Sequence, residues 1–150
     1  MAIRDELHAE HDHLMVGVEE LRRTGDLIGV VPHQGAQEAV ERAIGFLHGR
    51  LIPHARKEEE FLYPAVAKAL GSPRSTRTMT RDHDEVKRLT GQLERGFEEN
   101  DEPMTRRLLY GLYHVLRLHF AKEEEIYLPL LEESLDPTTA AELWRAMQAA

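Results

Sequence analysis

The sequence predicts an all-α fold, namely an antiparallel, up-and-down four-helix bundle with a short fifth helix at its C-terminus. Apolar residues recur at spacings of three and four through four long segments, which is the period of amphipathic helices. Two of these segments share a motif at an offset of 65 residues, which indicates two copies of one helical hairpin. We therefore expect residues 1–150 to form one domain, with a core at 4–134 and the fifth helix at 137–149.

The first two helices are predicted from glycine caps and apolar stripes. The first helix is expected from Arg4 to Thr24 and the second from Gly35 to Leu70. Gly25 and Gly71 follow them, where a C-terminal cap belongs. Their apolar faces are Leu7, Leu14, Val18 and Leu21 in the first helix, and Leu47, Leu51, Phe61 and Ala65 in the second.

Prolines and cap residues place the other helix ends. Pro53 and Pro64 are expected to bend the second helix, and the fourth helix is expected to begin near Pro103. A polar residue followed by proline favours a helix start, and such pairs occur at Ser72-Pro73 for the third helix and Asp136-Pro137 for the fifth. The apolar faces are Met79, Val86, Leu93 and Phe97 in the third helix, Leu108, Leu112, Val115, Ile126 and Leu130 in the fourth, and Leu143, Trp144 and Met147 in the fifth.

Composition excludes several classes of function. The chain has no cysteine, so any metal site must use nitrogen and oxygen ligands. A net charge of −8 disfavours nucleic acid and anionic membrane surfaces as partners. No apolar run approaches the roughly 20 residues that span a bilayer, and the charged N-terminus does not resemble a signal peptide. We expect a cytoplasmic protein that is a monomer or a weak homodimer.

The repeated motif consists of a histidine, a lysine, three glutamates and a proline. His54-Ala-Arg-Lys-Glu-Glu-Glu, ending at Pro64, is in register with His119-Phe-Ala-Lys-Glu-Glu-Glu, ending at Pro129. A weaker repeat relates Glu10-His11-Asp12 to Asp82-His83-Asp84. Each hairpin thus carries a single histidine on its first helix and His-x-x-x-Glu on its second.

These histidines interrupt the apolar stripes at positions that face the core. Residues at i and i+4 share one face of a helix, so His54 with Glu58, and His119 with Glu123, point inward together. A buried carboxylate without compensation costs several kcal/mol, and a cation would supply that compensation. The predicted metal ligands are His11, His54, Glu58, His83, His119 and Glu123.

Other polar residues are weaker candidates for the site. His8, His13, His33, His48 and His114 are expected at the periphery, with His114 the first to check. Most of the adjacent glutamates are expected on solvated faces, although Glu124 could replace Glu123 if the geometry of the fourth helix differs. Tyr63 and Tyr127 could hydrogen-bond near the metals or approach an open coordination position.

The pattern resembles the hemerythrin-like family, also called the HHE cation-binding domain, over roughly Leu7 to Leu131. The resemblance implies a four-helix bundle around two non-haem iron ions, oxo- or hydroxo-bridged, held by the six residues above. The chain differs from the oxygen-carrying hemerythrins of marine invertebrates, which have a second histidine where this chain has Lys87 and an aspartate where it has Glu124. Ferritin-like diiron proteins need two Glu-x-x-His motifs, whereas this chain has one, from Glu10 to His13.

The resemblance leaves three functions open. The first is a diiron protein that binds dioxygen or reacts with hydrogen peroxide or with reactive oxygen or nitrogen species, an enzyme of catalase or peroxidase type if it turns over. The second is a sensing or regulatory module for oxygen, nitric oxide or iron, in which metal state changes stability or a partner surface. The third is a bundle that holds zinc or manganese, because nitrogen and oxygen ligands do not select iron uniquely.

Overall fold

The computed structural model describes residues 2–150, which contain helices and no strand. We number five helices along the chain. α1 is Ile3–Leu27, α3 is Arg77–Glu98 and α5 is Pro137–Ala149. α2 and α4 are longer, span 33–70 and 102–134 without a break, and consist of α-helical segments joined by short π-helical turns. The predicted all-α fold is confirmed.

The four long helices pack in antiparallel order. Between α1 and α4, residues early in one helix contact residues late in the other, as Arg4 does with Glu132 and Tyr110 with Asp26. The same inverse order relates the other neighbouring helices. For α1 and α2 the contacting pairs are Glu10 with His54 and Gly17 with Phe46, and for α2 and α3 they are Gln37 with Asn100 and Glu59 with His83. For α3 and α4 they are Asp82 with Lys122 and Gly96 with Thr105. Each helix therefore has two antiparallel neighbours.

Glycine follows the end of α2 as predicted, but the glycine predicted to end α1 lies inside that helix. Gly71 follows α2 at φ 72°, in the left-handed region that glycine adopts without strain. The predicted end of α1 at Gly25 is wrong, because the helix continues to Leu27. Gly25 instead allows close packing, since a Cβ atom there would lie 2.7 Å from the ring of Tyr110. The left-handed glycine after α1 is Gly29, at φ 80°.

The predicted start of α3 at Ser72 is also wrong, since the helix begins at Arg77. Ser72 closes a separate turn, in which its hydroxyl accepts a hydrogen bond from the Arg74 N–H and its carbonyl accepts one from the Ser75 hydroxyl. Serine side chains compete with helices in this way. The cap predicted at Asp136 is confirmed, because its carboxylate accepts the first free N–H groups of α5.

Three π-helical turns interrupt α2 and α4, each just before a proline. They are Leu47–Leu51, Glu58–Leu62 and Glu123–Tyr127, followed by Pro53, Pro64 and Pro129 respectively. Proline has no N–H, and its ring collides with the carbonyl four residues earlier, so the wider turn relieves the clash. In all three turns the residue before the proline donates to the carbonyl five residues back, as Tyr63 does to Glu58.

The π-turns shift the buried face of each helix by one residue. The fully buried residues at and after these turns are Leu62 and Val66 in α2 and Leu128 and Leu131 in α4. The predicted Phe61, Ala65 and Leu130 are partly buried at the edge of this face, whereas Ile126 is 51% exposed and its assignment to the core face is wrong. The displacement arises because a constant helical period does not include the additional residue of a π-turn.

Two apolar clusters occupy the two ends of the bundle. The larger cluster lies around Leu21, Leu47 and Leu109. The smaller cluster lies around Leu7 and Leu131 and is completed by Leu143, Trp144 and Met147 of α5. The fifth helix therefore packs on the outside of the four-helix bundle. No helix within residues 2–150 is both long enough and apolar enough to cross a membrane.

Replacing Gly17 by alanine is expected to destabilise the bundle. A Cβ atom at Gly17 would overlap the ring of Phe46 on α2 and force it to move. Overpacking of this kind costs about 1–3 kcal/mol, partly offset by the better helix propensity of alanine. Chemical denaturation should therefore show a lower free energy of unfolding for Gly17→Ala. The matched control is Gly91→Ala, where no atom lies within 4 Å of the new Cβ. The control should be neutral or more stable, and equal stabilisation of both variants would contradict the predicted contact.

Candidate metal centre

Six buried polar side chains lie together between the two apolar clusters. Each long helix contributes one histidine, and the second helix of each hairpin adds a glutamate one turn later. None of the six is more than 5% exposed, and the two glutamates are completely buried. They are the residues that the sequence placed on the core faces: His11, His54, Glu58, His83, His119 and Glu123.

Glu58 lies between two pairs of histidines. Its Oε1 atom is 3.4 Å from His11 Nε2 and 2.8 Å from His54 Nε2. Its Oε2 atom is 3.2 Å from His83 Nε2 and 3.8 Å from His119 Nε2. In each group, Glu58 with His11 and His54, and Glu58 with His83 and His119, the ligand atoms lie within 4.8 Å of one another, so one cation could contact all three residues. Glu58 is therefore positioned to bridge two ions.

The second buried glutamate, Glu123, belongs to neither group of three but lies beside the second. Its Oε1 atom is 2.7 Å from His119 Nε2, and His119 lies four residues earlier on the same helix. This i, i+4 relation repeats that of His54 and Glu58 in α2. The two hairpins thus present equivalent histidine and glutamate pairs to the interior.

Unpaired buried atoms show that the donor set fits a metal. His54 Nε2 and both carboxylate oxygens of Glu123 are inaccessible to solvent and make no well-aligned hydrogen bond, although His54 Nε2 lies 2.8 Å from Glu58 Oε1 and Glu123 Oε1 lies 2.7 Å from His119 Nε2. Buried polar atoms without partners are rare and costly. Imidazole nitrogen and carboxylate oxygen are the donors that iron, zinc and manganese accept, and Glu58 reaches both histidine pairs. The residues present therefore fit metal binding at this position.

An outer ring of four carboxylates binds the opposite nitrogen of every histidine. The Nδ1 atoms lie 2.6–3.1 Å from carboxylate oxygens, in the pairs His11 with Glu124, His54 with Glu10, His83 with Glu59, and His119 with Asp82. A carboxylate that accepts the Nδ1–H leaves Nε2 as the nitrogen available to a metal, and it increases the basicity of the ring. All four Nε2 atoms consequently face the interior.

Sequence reasoning missed the role of this outer ring. Glu59 was assigned to a solvated face, and Glu124 was considered only as a replacement for Glu123. Glu10 and Asp82 were noted as part of a repeat, and Glu10 also as part of a single Glu-x-x-His motif. A signal was present, because each of the four stands next to an inner residue in the sequence. Their partners, however, lie on neighbouring helices, which the sequence alone does not align.

The carboxylates raise the pKa of three histidines. Burial by itself would lower these values, because it disfavours the charged imidazolium. The neighbouring carboxylates reverse that effect, and the pKa rises to about 9 for His11, about 10 for His54 and about 11 for His119. Burial opposes ionisation of Glu58, but the surrounding histidines hold its pKa well below the usual range. Burial and the charge of Glu58 raise the pKa of Glu123.

Tyr63 is the seventh polar group inside the centre. Its hydroxyl donates to Glu58 Oε2 at 3.3 Å and lies 3.2 Å from His83 Nε2 and 3.3 Å from His119 Nε2. Burial and the charge of Glu58 raise the pKa of its phenol, so it is neutral in the metal-free protein. Tyr127 is different, since its hydroxyl donates to the Ser75 carbonyl outside the centre.

The other candidate residues lie away from the inner atoms. His114 is exposed, as are His8, His13, His33 and His48. Glu124 contacts His11 and His8 rather than the interior, so it does not replace Glu123. Lys87 is 45% exposed, and its amine lies 3.8 Å from Glu59 Oε2.

A small apolar cavity adjoins the second group. Its walls include Leu51, Val86, Leu116 and Phe120, and its polar lining is formed by His54, His83, His119 and Glu58. The cavity has a volume of about 10 Å³, which is enough for about one water-sized molecule. An organic substrate would not fit beside the metal site.

Metal binding at pH 7 is expected to release protons. His11, His54 and His119 have pKa values above 7 in the metal-free protein, so each is protonated there and must lose a proton from Nε2 to bind a cation. Calorimetric titration in buffers of different ionisation enthalpy should show net proton release. The release should decrease as the pH rises through 9 to 11, because the rings are then already neutral. A binding enthalpy that is the same in every buffer at pH 7 would contradict this prediction.

Comparison with known proteins agrees with this geometry. A family model described as the hemerythrin HHE cation-binding domain matches residues 2–131, which include all six inner residues and the four outer carboxylates. No curated protein and no solved structure matches the chain. The matched region covers well over half of the 150 residues, and the chain belongs to the hemerythrin HHE cation-binding domain family.

Proposed function

We propose that the chain is a non-haem diiron protein that reacts with a small oxygen species, either dioxygen or hydrogen peroxide. The observation that carries this proposal is the buried set of four imidazoles and two carboxylates, with Glu58 within 3.8 Å of all four Nε2 atoms. The family supports a cation at this position. The two-ion arrangement, and iron as the ion, rest on the donors of this chain.

Charge balance favours two ions over one. Two buried glutamates and four outer carboxylates surround the four imidazoles. Lys122 is the cation that contacts this ring most closely, at 2.5 Å from Asp82, and Lys87 lies farther from Glu59. Two divalent ions would offset the remaining negative charge in a site from which water is largely excluded.

The proposed ligands also leave coordination positions free. Each ion would take two imidazoles and one oxygen of Glu58, with Glu123 contributing next to His119. Iron at such a site would supply reversible changes of oxidation state and open positions for a small ligand. The adjoining cavity limits that ligand to a few atoms. This size limit favours dioxygen, peroxide or nitric oxide over any organic substrate.

Tyr63 holds a proton beside the metal-facing nitrogens of the second group, although it does not line the cavity. Its hydroxyl is the buried donor closest to the His83 and His119 nitrogens. Cleavage of hydrogen peroxide to water and oxygen requires protons to be taken up and returned at the oxygen atoms. A fixed hydroxyl can orient the ligand and exchange that proton.

The role of Glu58 can be tested by metal counting. Elemental analysis of the purified wild-type protein should find about two iron ions per chain. Glu58→Ala should lose both ions, because it removes the carboxylate that both groups share. Glu60→Ala is the matched control, because Glu60 is exposed two residues away, and it should retain both. Recovery of zinc or manganese instead of iron would contradict the choice of metal, and full occupancy in Glu58→Ala would contradict the bridging role.

Peroxide turnover tests the proposed reaction. Iron-loaded wild-type protein should release oxygen from hydrogen peroxide faster than the same concentration of free iron. Tyr63→Phe should keep its metal content but react about 100-fold more slowly, the lower range for a positioned proton donor. An absorption spectrum recorded anaerobically and again after oxygen addition tests the dioxygen reaction separately. Absence of oxygen release together with an unchanged spectrum would refute the proposal.

A further inference from the structure

The C-terminal helix α5 rests on the turn that carries the bridging glutamate. It packs against the π-turn Glu58–Leu62 and against α1. Its apolar residues join the cluster that contains Phe61, Leu62 and Tyr63. The same five-residue turn thus presents Glu58 to the interior and Phe61 to the surface beneath α5. α5 also lies outside residues 2–131, the part of the chain that the family model matches.

The attachment of α5 to the bundle is narrow. Met147 is its one buried residue, whereas Leu143 and Trp144 are half-buried. Two surface grooves, of about 410 and 650 Å³, flank its N-terminal half on opposite sides. A helix of 13 residues is marginal in water on its own. Its docking therefore depends on a small apolar contact and can be reversed at modest cost.

We propose that α5 is a latch whose docking is linked to occupation of the metal centre, so that metal binding and docking each favour the other. The proposal rests on metal binding at Glu58, as inferred above. It assigns a regulatory role to residues 137–149, which lie outside the residues that the family model matches.

The link is mechanical and runs through the π-turn. Glu58 shares its two oxygens among four imidazoles and Tyr63. Metal ligation would fix the position of Glu58 and therefore that of the turn, including Phe61 on its other side. A fixed turn offers α5 a constant surface. By thermodynamic linkage, if docking of α5 increases the affinity for metal by some factor, metal binding increases the docking equilibrium constant by the same factor.

Undocking would change the surface of the protein as well as its stability. It would expose Phe61, Trp144 and Met147, which lie together in the smaller apolar cluster. A bundle that loses metal would then present a new apolar patch together with a free C-terminal helix. Such a change would serve the sensing role that the sequence leaves open, because it converts metal state into a surface that a partner can detect.

Hydrogen exchange on the unmodified chain tests the link directly. Amide exchange in 137–149 is compared between the metal-free protein and protein loaded anaerobically with ferrous iron. We expect exchange about tenfold slower in the loaded protein, within the usual range of coupling between sites. Equal exchange in the two samples, with two ions bound in the loaded one, would overturn the proposal.

A pair of variants tests the reverse direction. Met147→Asp places a charge in the buried contact, whereas Gln148→Asp places the same charge on the exposed neighbouring position. Release of iron to a chelator should be about tenfold faster from Met147→Asp than from Gln148→Asp. Equal release rates, with α5 shown by exchange to be undocked in Met147→Asp, would also overturn the proposal. If Met147→Asp loses its helical circular dichroism, the variant is unfolded, and the proposal is then judged from the hydrogen-exchange comparison on the unmodified chain.

Failure of the latch can be distinguished from failure of the metal proposal. Two ions in the wild type and none in Glu58→Ala would leave the metal centre established, whatever α5 does. If the wild type binds no metal, both proposals fail together, and the exchange of α5 should then not respond to added iron.

Discussion

The stability of the bundle depends on how the charge of two carboxylates without contact to water is compensated. Glu58 and Glu123 are both completely buried, and the nearest polar contact of Glu123, at 2.7 Å from His119 Nε2, is not a well-aligned hydrogen bond. Four imidazoles face them, and in the absence of metal protons on three of these rings supply positive charge. A layer of this kind between two apolar clusters costs stability unless cations hold it together. The chain belongs to a family described as a cation-binding domain, which agrees with this requirement.

The outer carboxylates connect the helices in a closed circuit. Glu10 on α1 binds His54 on α2, and Glu59 on α2 binds His83 on α3. The circuit continues from Asp82 on α3 to His119 on α4, and from Glu124 on α4 back to His11 on α1. Two of these contacts lie within a hairpin and two cross between hairpins. The contacts that orient the imidazoles therefore also hold the two halves of the bundle in register.

Periodicity and repetition in the sequence were sufficient to predict the helices and the inward-facing polar residues. The stripes through His11 and His83 are regular, and the structure keeps their spacing. Ile126 was predicted incorrectly on the core face, and Phe61 lies at the edge of that face, because a π-turn is a local response to proline sterics that shifts the period by one residue. Gly25 was predicted to be a helix cap, but glycine is needed there because the ring of Tyr110 on another helix approaches closely. The sequence alone does not reveal this contact. The outer carboxylates were missed for the same reason, since each acts on a different helix from its own.

The circuit has a consequence for how chains of this kind can associate. Segment 71–76 is the only covalent link between the hairpin 3–70 and the hairpin 77–134. All contacts between the hairpins, including those of Glu59 with His83 and Glu124 with His11, are noncovalent and independent of that link. If segment 71–76 became extended in two copies of the chain, the hairpin 3–70 of each copy could pair with the hairpin 77–134 of the other. The same side-chain contacts would then form two complete centres. Domain swapping would thus conserve the donor geometry while doubling the assembly.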